Sequence, residues 1–114
     1  MAADIDFRRM KKVEAVIVPL HSDAVRKELE RCGIGGGLTV VDVQQSDSEK
    51  RLLRTATESF GALQDRVKLE LVLEDSEAEK AVNVILRHAQ PECEDQAGQI
   101  SILEVNEFLR IGGR

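Results

Sequence analysis

The segment Val67-Lys68-Leu69-Glu70-Leu71-Val72-Leu73 constrains the fold more than any other. Apolar and polar side chains alternate along most of it, the period of a strand with one buried face. A second apolar-rich run, Leu38-Thr39-Val40-Val41-Asp42-Val43, precedes it, and the mostly polar residues 44–64 lie between the two. A hairpin connection usually takes about two to five residues, so a stretch this long is either functional or an element in its own right. Leu52, Leu53, Ala56, Phe60 and Leu63 fall at helical spacing behind Ser46-Asp47-Ser48, which allows an amphipathic helix packed on the body. A loop that engages a partner or responds to a ligand is the preferred reading, because such connections are seldom idle. Both hold if the helix forms on binding.

The rest of the chain reads as a platform for that stretch. Lys12-Val13-Glu14-Ala15-Val16-Ile17-Val18 forms a first strand, closed by Pro19, which cannot donate to a sheet ladder. Ser22 is the expected N-cap of a helix in which Val25, Leu29 and Cys32 are the buried stripe and Gly33 the stop. A glycine run, Gly35-Gly36-Gly37, leads into the second strand. Behind the third strand, Ser76 and Glu79 make a capping box for a second helix buried through Ala78, Ala81, Val82, Ile85 and Ala89 and ended by Pro91. A fourth strand over 99–103, with Ile100 and Ile102 inward, and a short last strand over 107–111 complete the order. The sum is β-α-β-β-α-β plus a terminal strand: an α+β, ferredoxin-like fold with two helices on one face of a four-stranded antiparallel sheet. The first strand holds apolar residues at both parities (Ala15, Val16, Ile17, Val18), as does the second at Val40 and Val41, so the other face is not polar throughout, and an uncovered apolar face predicts self-association. One domain is expected over residues 10–114, behind a disordered leader of residues 1–9.

Composition removes several functions. A net charge of −5, three Phe and neither Tyr nor Trp provide no basic stripe and no stacking platform for nucleic acid. Cys32 and Cys93 are too few for a disulfide framework or a zinc site, and His21 and His88 have no ligand partners at metal spacing, so no metal is expected and both histidines read as exposed. No nucleophile–base or paired-carboxylate arrangement can be assembled, so the chain is not expected to be an enzyme. Without a signal peptide or an apolar run long enough to span a bilayer, a cytoplasmic protein is expected.

Met10-Lys11-Lys12-Val13-Glu14-Ala15-Val16-Ile17, Asp23 to Leu29, Gly33-Ile34 through Gly37-Leu38-Thr39-Val40, and Arg66 to Val72 resemble, in that order, the PII nitrogen-regulatory signal proteins. Gly98-Gln99-Ile100 and Leu109-Arg110-Ile111 keep the spacing of that family's ending. The resemblance implies a homotrimer with adenine nucleotides in clefts between subunits, and a long loop, here residues 44–64, that carries occupancy to a partner. Carried over position by position, Gly36, Gly37, Leu38 and Thr39 lie near the adenine with Val72, while Gly98 and Arg110 meet the phosphates. Arg66 matches a lysine at the loop base, and Gln99 stands where the family's G-D-G-K phosphate loop has its lysine, the whole motif reading Gln96-Ala97-Gly98-Gln99.

The family's second C-terminal arginine is replaced by Gly112. A site that has lost two cations loses more attraction for a triphosphate than for a monophosphate, so AMP or ADP is expected to be favoured over ATP. The loop tyrosine that the family modifies is absent, as is the glutamine that helps to place magnesium and 2-oxoglutarate. The resemblance is therefore to divergent PII-like regulators, for which bicarbonate is a further effector and an enzyme or membrane transporter the partner. The residues alone leave open a ferredoxin-like metal- or metabolite-binding module that takes no nucleotide.

Overall fold

The computed structural model describes residues 9–46 and 63–112. The elements are β1 (Met10–Ile17), α1 (Pro19–Arg31), β2 (Thr39–Ser46), β3 (Leu63–Glu74), α2 (Asp75–His88), a 3-10 turn (Glu94–Gln96) and β4 (Gln99–Val105). The strands form one sheet in the order β2-β3-β1-β4, every neighbouring pair antiparallel. Two helices and this sheet make the ferredoxin-like α+β arrangement. β2 and β3 run further toward each other than the sequence pattern suggests, so Gln44, Gln45 and Gln64 are strand residues. The remainder of the connecting stretch, and the leader up to residue 8, fall outside the described residues.

Register decides what is buried. Val13, Ala15 and Ile17 lie directly opposite Leu71, Leu69 and Val67, and all six point to the helix-covered side. Val25 and Leu29 of α1 and Ala78, Ala81, Val84 and Ile85 of α2 close over them. Complete burial of a leucine such as Leu29 or Leu69 stabilises the fold by about 1.5–3 kcal/mol. α1 ends as the glycine predicts. Gly33 takes a φ of +77°, its N–H donates to Glu30 O at 3.0 Å, and Ile34 N–H donates to Leu29 O at 3.0 Å. That pair of bonds, with Ile34 and Leu29 both in the core, is a Schellman motif.

Both helix starts differ from the sequence expectation. α1 begins at Pro19, whose fixed φ suits the first helical position, with Val18 as N-cap. Ser22 is thereby carried into the helix and buried. α2 begins at Asp75 behind Glu74, ahead of the Ser76–Glu79 pair. Lys11 Nζ reaches Asp75 Oδ1 at 3.1 Å, tying the start of α2 to β1, and Asp75 and Glu77 meet the positive end of the helix dipole.

Other side chains are also placed differently. Cys32 is exposed at the α1 C-cap, its Sγ 3.7 Å from Glu28 Oε2, because Ile34 fills the core position beyond it. On α2, Val84 is buried while Val82 and Ala89 only border the core. Ile100 and Ile102 share the helix-facing side with Ala15 and Val13, yet Ile102 is 52% exposed on the edge strand. His21 is half-buried, with an Nδ1 that is buried and unpartnered. Beyond β4 the chain makes one isolated bridge at Leu109 in place of a strand.

The open face of the sheet is not uniformly apolar. Val16, Val41, Val43, Val72 and Leu103 surround a charged centre built from β1 and β3. Lys12 Nζ lies 3.0 Å from Glu14 Oε2 and 3.8 Å from Glu70 Oε1, and Lys68 Nζ lies 3.0 Å from Glu70 Oε2.

Candidate functional site

A cleft of about 300 Å³ opens on this face, lined by Lys12, Gly36, Gly37, Thr39, Glu70, Leu71, Val72, Phe108 and Arg110. Its rim is the turn between α1 and β2, closed by Leu38 N–H donating to Gly35 O at 3.2 Å. Two of the three glycines of the turn have separate reasons to be glycine. Gly37 has a φ of +82°, which side chains rarely adopt. At Gly35 a Cβ would come within 3.2 Å of Glu30 N on the helix. At Gly36 neither constraint applies: a Cβ would meet open space, and the residue lines the cleft.

The floor keeps its charge. Lys12 is held above the ordinary lysine value by its hydrogen bond to Glu14 and then by the charge of Glu70. Glu70 is held below the usual carboxylate range, chiefly by the hydrogen bond from Lys68, against the opposing effect of its partial burial. Arg110 rises from the C-terminal segment with its guanidinium 5.0 Å from the centre of the Phe108 ring. Among the described residues no ion pair holds it. The arrangement offers bare backbone on one side, apolar Val72 beneath, and a cationic fork above, a combination suited to a small ligand with one anionic end.

Of the residues singled out by sequence, Gly36, Gly37, Thr39, Val72 and Arg110 meet in this cleft, whereas Leu38, Arg66, Gly98 and Gln99 do not. Leu38 turns to the helix side, bordering the core and a groove along α1. Gly98 and Gln99 line a cavity of about 400 Å³ between the end of α2 and the start of β4. Packing alone accounts for Gly98, since a Cβ there would lie 2.7 Å from the Val16 carbonyl oxygen. Gly98→Ala is expected to cost about 1–3 kcal/mol, read as a lower urea midpoint; an unchanged midpoint would mean that the β1–β4 approach relaxes freely.

Arg66 is engaged elsewhere too. Its guanidinium donates to Gln64 Oε1 at 2.7 Å, Asp65 O at 2.9 Å and Asp95 O at 2.8 Å, tying the start of β3 to the 3-10 turn. Near it, Gln45 Nε2 donates to Gln99 Oε1 at 3.3 Å. Lys12, Glu70 and Phe108 belong to the cleft and were not legible as site residues. The usable signal for the first two is the strand period, which puts the polar positions of neighbouring strands on one face. Among the described residues no group of acidic, histidine or cysteine side chains is placed to hold a metal, and no helix is long and apolar enough to cross a membrane.

The geometry defines a ferredoxin-like α+β domain with a candidate ligand cleft on its open face. Comparison with known proteins names the family. The family described as Nitrogen regulatory protein P-II matches residues 10–113. The chain is 35% identical over 105 residues to the P-II protein of Azospirillum brasilense and 34% over 105 residues to that of Rhodospirillum rubrum, in both cases covering 90% of this chain and 91% of the relative. It is 32% identical over 104 residues to that of Pyropia yezoensis, with the same coverage. The crystal structure of Arabidopsis thaliana PII bound to citrate superposes with a TM-score of 0.71 at 27% identity, covering 94% of this chain and 85% of that one. The chain belongs to the PII family, whose members are regulatory signal transducers and not enzymes.

Proposed function

We propose that this PII-family chain senses an adenine nucleotide, AMP or ADP in preference to ATP, and controls a partner enzyme or membrane transporter through residues 44–64. The observation that carries the reading is the convergence of Gly36, Gly37, Thr39, Val72 and Arg110 on one cleft from three separate parts of the chain. Bare backbone at Gly36 and Gly37 lets a planar base and ribose approach closely. Arg110 supplies a fork for phosphate oxygens. Lys12 is already matched by Glu14 and Glu70, which leaves little positive charge for a second or third phosphate.

In this reading the chain acts in the cytoplasm as a homotrimer. Exposed Val41 and Leu103 on the open face provide apolar area for subunit contact; Gly98 and Gln99 of one subunit complete the cleft of the next, while Arg66 holds the base of residues 44–64. A small anion such as bicarbonate is a second effector of this proposal; the citrate-bound Arabidopsis protein is a PII holding a carboxylate ligand. Calorimetry with AMP, ADP and ATP, together with light scattering on the eluting species, tests it. A trimer that binds AMP or ADP at least as tightly as ATP is expected. A monomer that binds none of the three overturns the proposal in favour of a module without nucleotide.

A further inference from the structure

We infer that Phe108 is a positioning residue that seats the Arg110 guanidinium for the anionic end of the ligand. The inference rests on the nucleotide reading and adds to it a residue and a mode of recognition. Arg110 is exposed, and an unsupported arginine would lose substantial side-chain freedom on gripping an anion. Here the guanidinium lies 5.0 Å from the Phe108 ring centre, and both side chains line the cleft. The spacing of two residues is that of same-side neighbours in extended chain, so the short segment after β4 delivers both to one wall. A guanidinium held over a ring is seated without using its N–H donors, which stay available for a planar, bidentate partner.

Lys12 cannot take over that task without leaving Glu14 and Glu70. The cleft therefore has one seated fork, matched to one phosphate monoester. Phe108 is also only half-buried and lies outside the core cluster, so its substitution is not expected to unfold the chain.

The test measures AMP and adenosine binding to the full chain by calorimetry and ligand-observed NMR. Phe108→Leu keeps an apolar side chain and removes the ring; it should weaken AMP about two- to fivefold more than it weakens adenosine. Phe108→Tyr should restore AMP binding, and in an Arg110→Ala background Phe108→Leu should weaken AMP no more than adenosine. Equal losses for AMP and adenosine, no loss for either, or an excess loss for AMP that persists without Arg110 would each overturn the positioning role while leaving the nucleotide reading intact. A wild-type chain that binds neither compound removes the nucleotide reading and this inference together.

Discussion

Arg110→Ala should weaken AMP binding by about 1.5–3 kcal/mol, the usual value of a charge-assisted hydrogen bond, with almost no change in thermal stability. The two halves of that statement come from the same geometry. Arg110 is exposed, and among the described residues its only close interaction is with the Phe108 ring, so folding draws little from it. In the cleft, by contrast, it is the cation not already matched by a carboxylate, since Lys12 lies between Glu14 and Glu70. Titration calorimetry on wild type and variant measures the first half and a melting curve the second. An unchanged AMP affinity would place the phosphate elsewhere on the molecule. A large drop in melting temperature would mean that Arg110 serves the fold.

Leu69→Ala should cost about 2–5 kcal/mol of folding free energy, the range for emptying a fully buried leucine site. Leu69 lies in the middle of β3, facing Ala15 on one side and Val40 on the other, under the helices. Ala15 has no side chain long enough to move into the space, and a void that cannot collapse is the costly kind. Urea unfolding at one fixed protein concentration is the appropriate measurement, because any association of the folded chain would otherwise enter the result. A loss below about 1 kcal/mol would show that the helices settle onto the sheet and that the core is looser than its burial implies. Substituting Leu103, 45% exposed on the open face, provides the contrasting surface case.

These sites show what a sequence can and cannot disclose. The core strands were legible because burial on one face imposes a period of two, and Leu69 and Leu71 keep it. The glycine end of α1 was legible because a left-handed residue followed by an apolar one is a local requirement that Gly33 and Ile34 meet within the motif itself. The helix starts were not. Ser22 and Ser76 both have capping chemistry, but Pro19 set one start earlier, and the Lys11–Asp75 pair marks the other, with its partners far apart in sequence. The open face was legible only in part. Val16 and Val41 mark it as partly apolar, while the charges of β1 and β3 that share it are brought together only by register.

The candidate cleft divides in the same way. Gly36, Gly37, Thr39, Val72 and Arg110 were reached through resemblance to the PII family, and one chain brings them together. Gly98 was drawn from the same resemblance, yet the Val16 carbonyl beside it gives a sufficient packing reason for glycine there. Phe108 escaped notice because nothing local marks an aromatic residue as the support of an arginine two positions later.

The balanced charges beneath the cleft have a consequence for what this surface can report. Glu70 gives up its negative charge only under more acidic conditions than a free carboxylate, and Lys12 its positive charge only under more alkaline ones than a free amine. The stabilisation contributed by Glu70 is present above the ordinary carboxylate range and fades as acid titrates the folded protein; that from Lys12 is present below the ordinary lysine range and fades in alkali. Each shift widens the interval in which neither group titrates. Across the neutral range these two groups keep their opposite charges, so neither adds a pH dependence of its own to what the cleft binds.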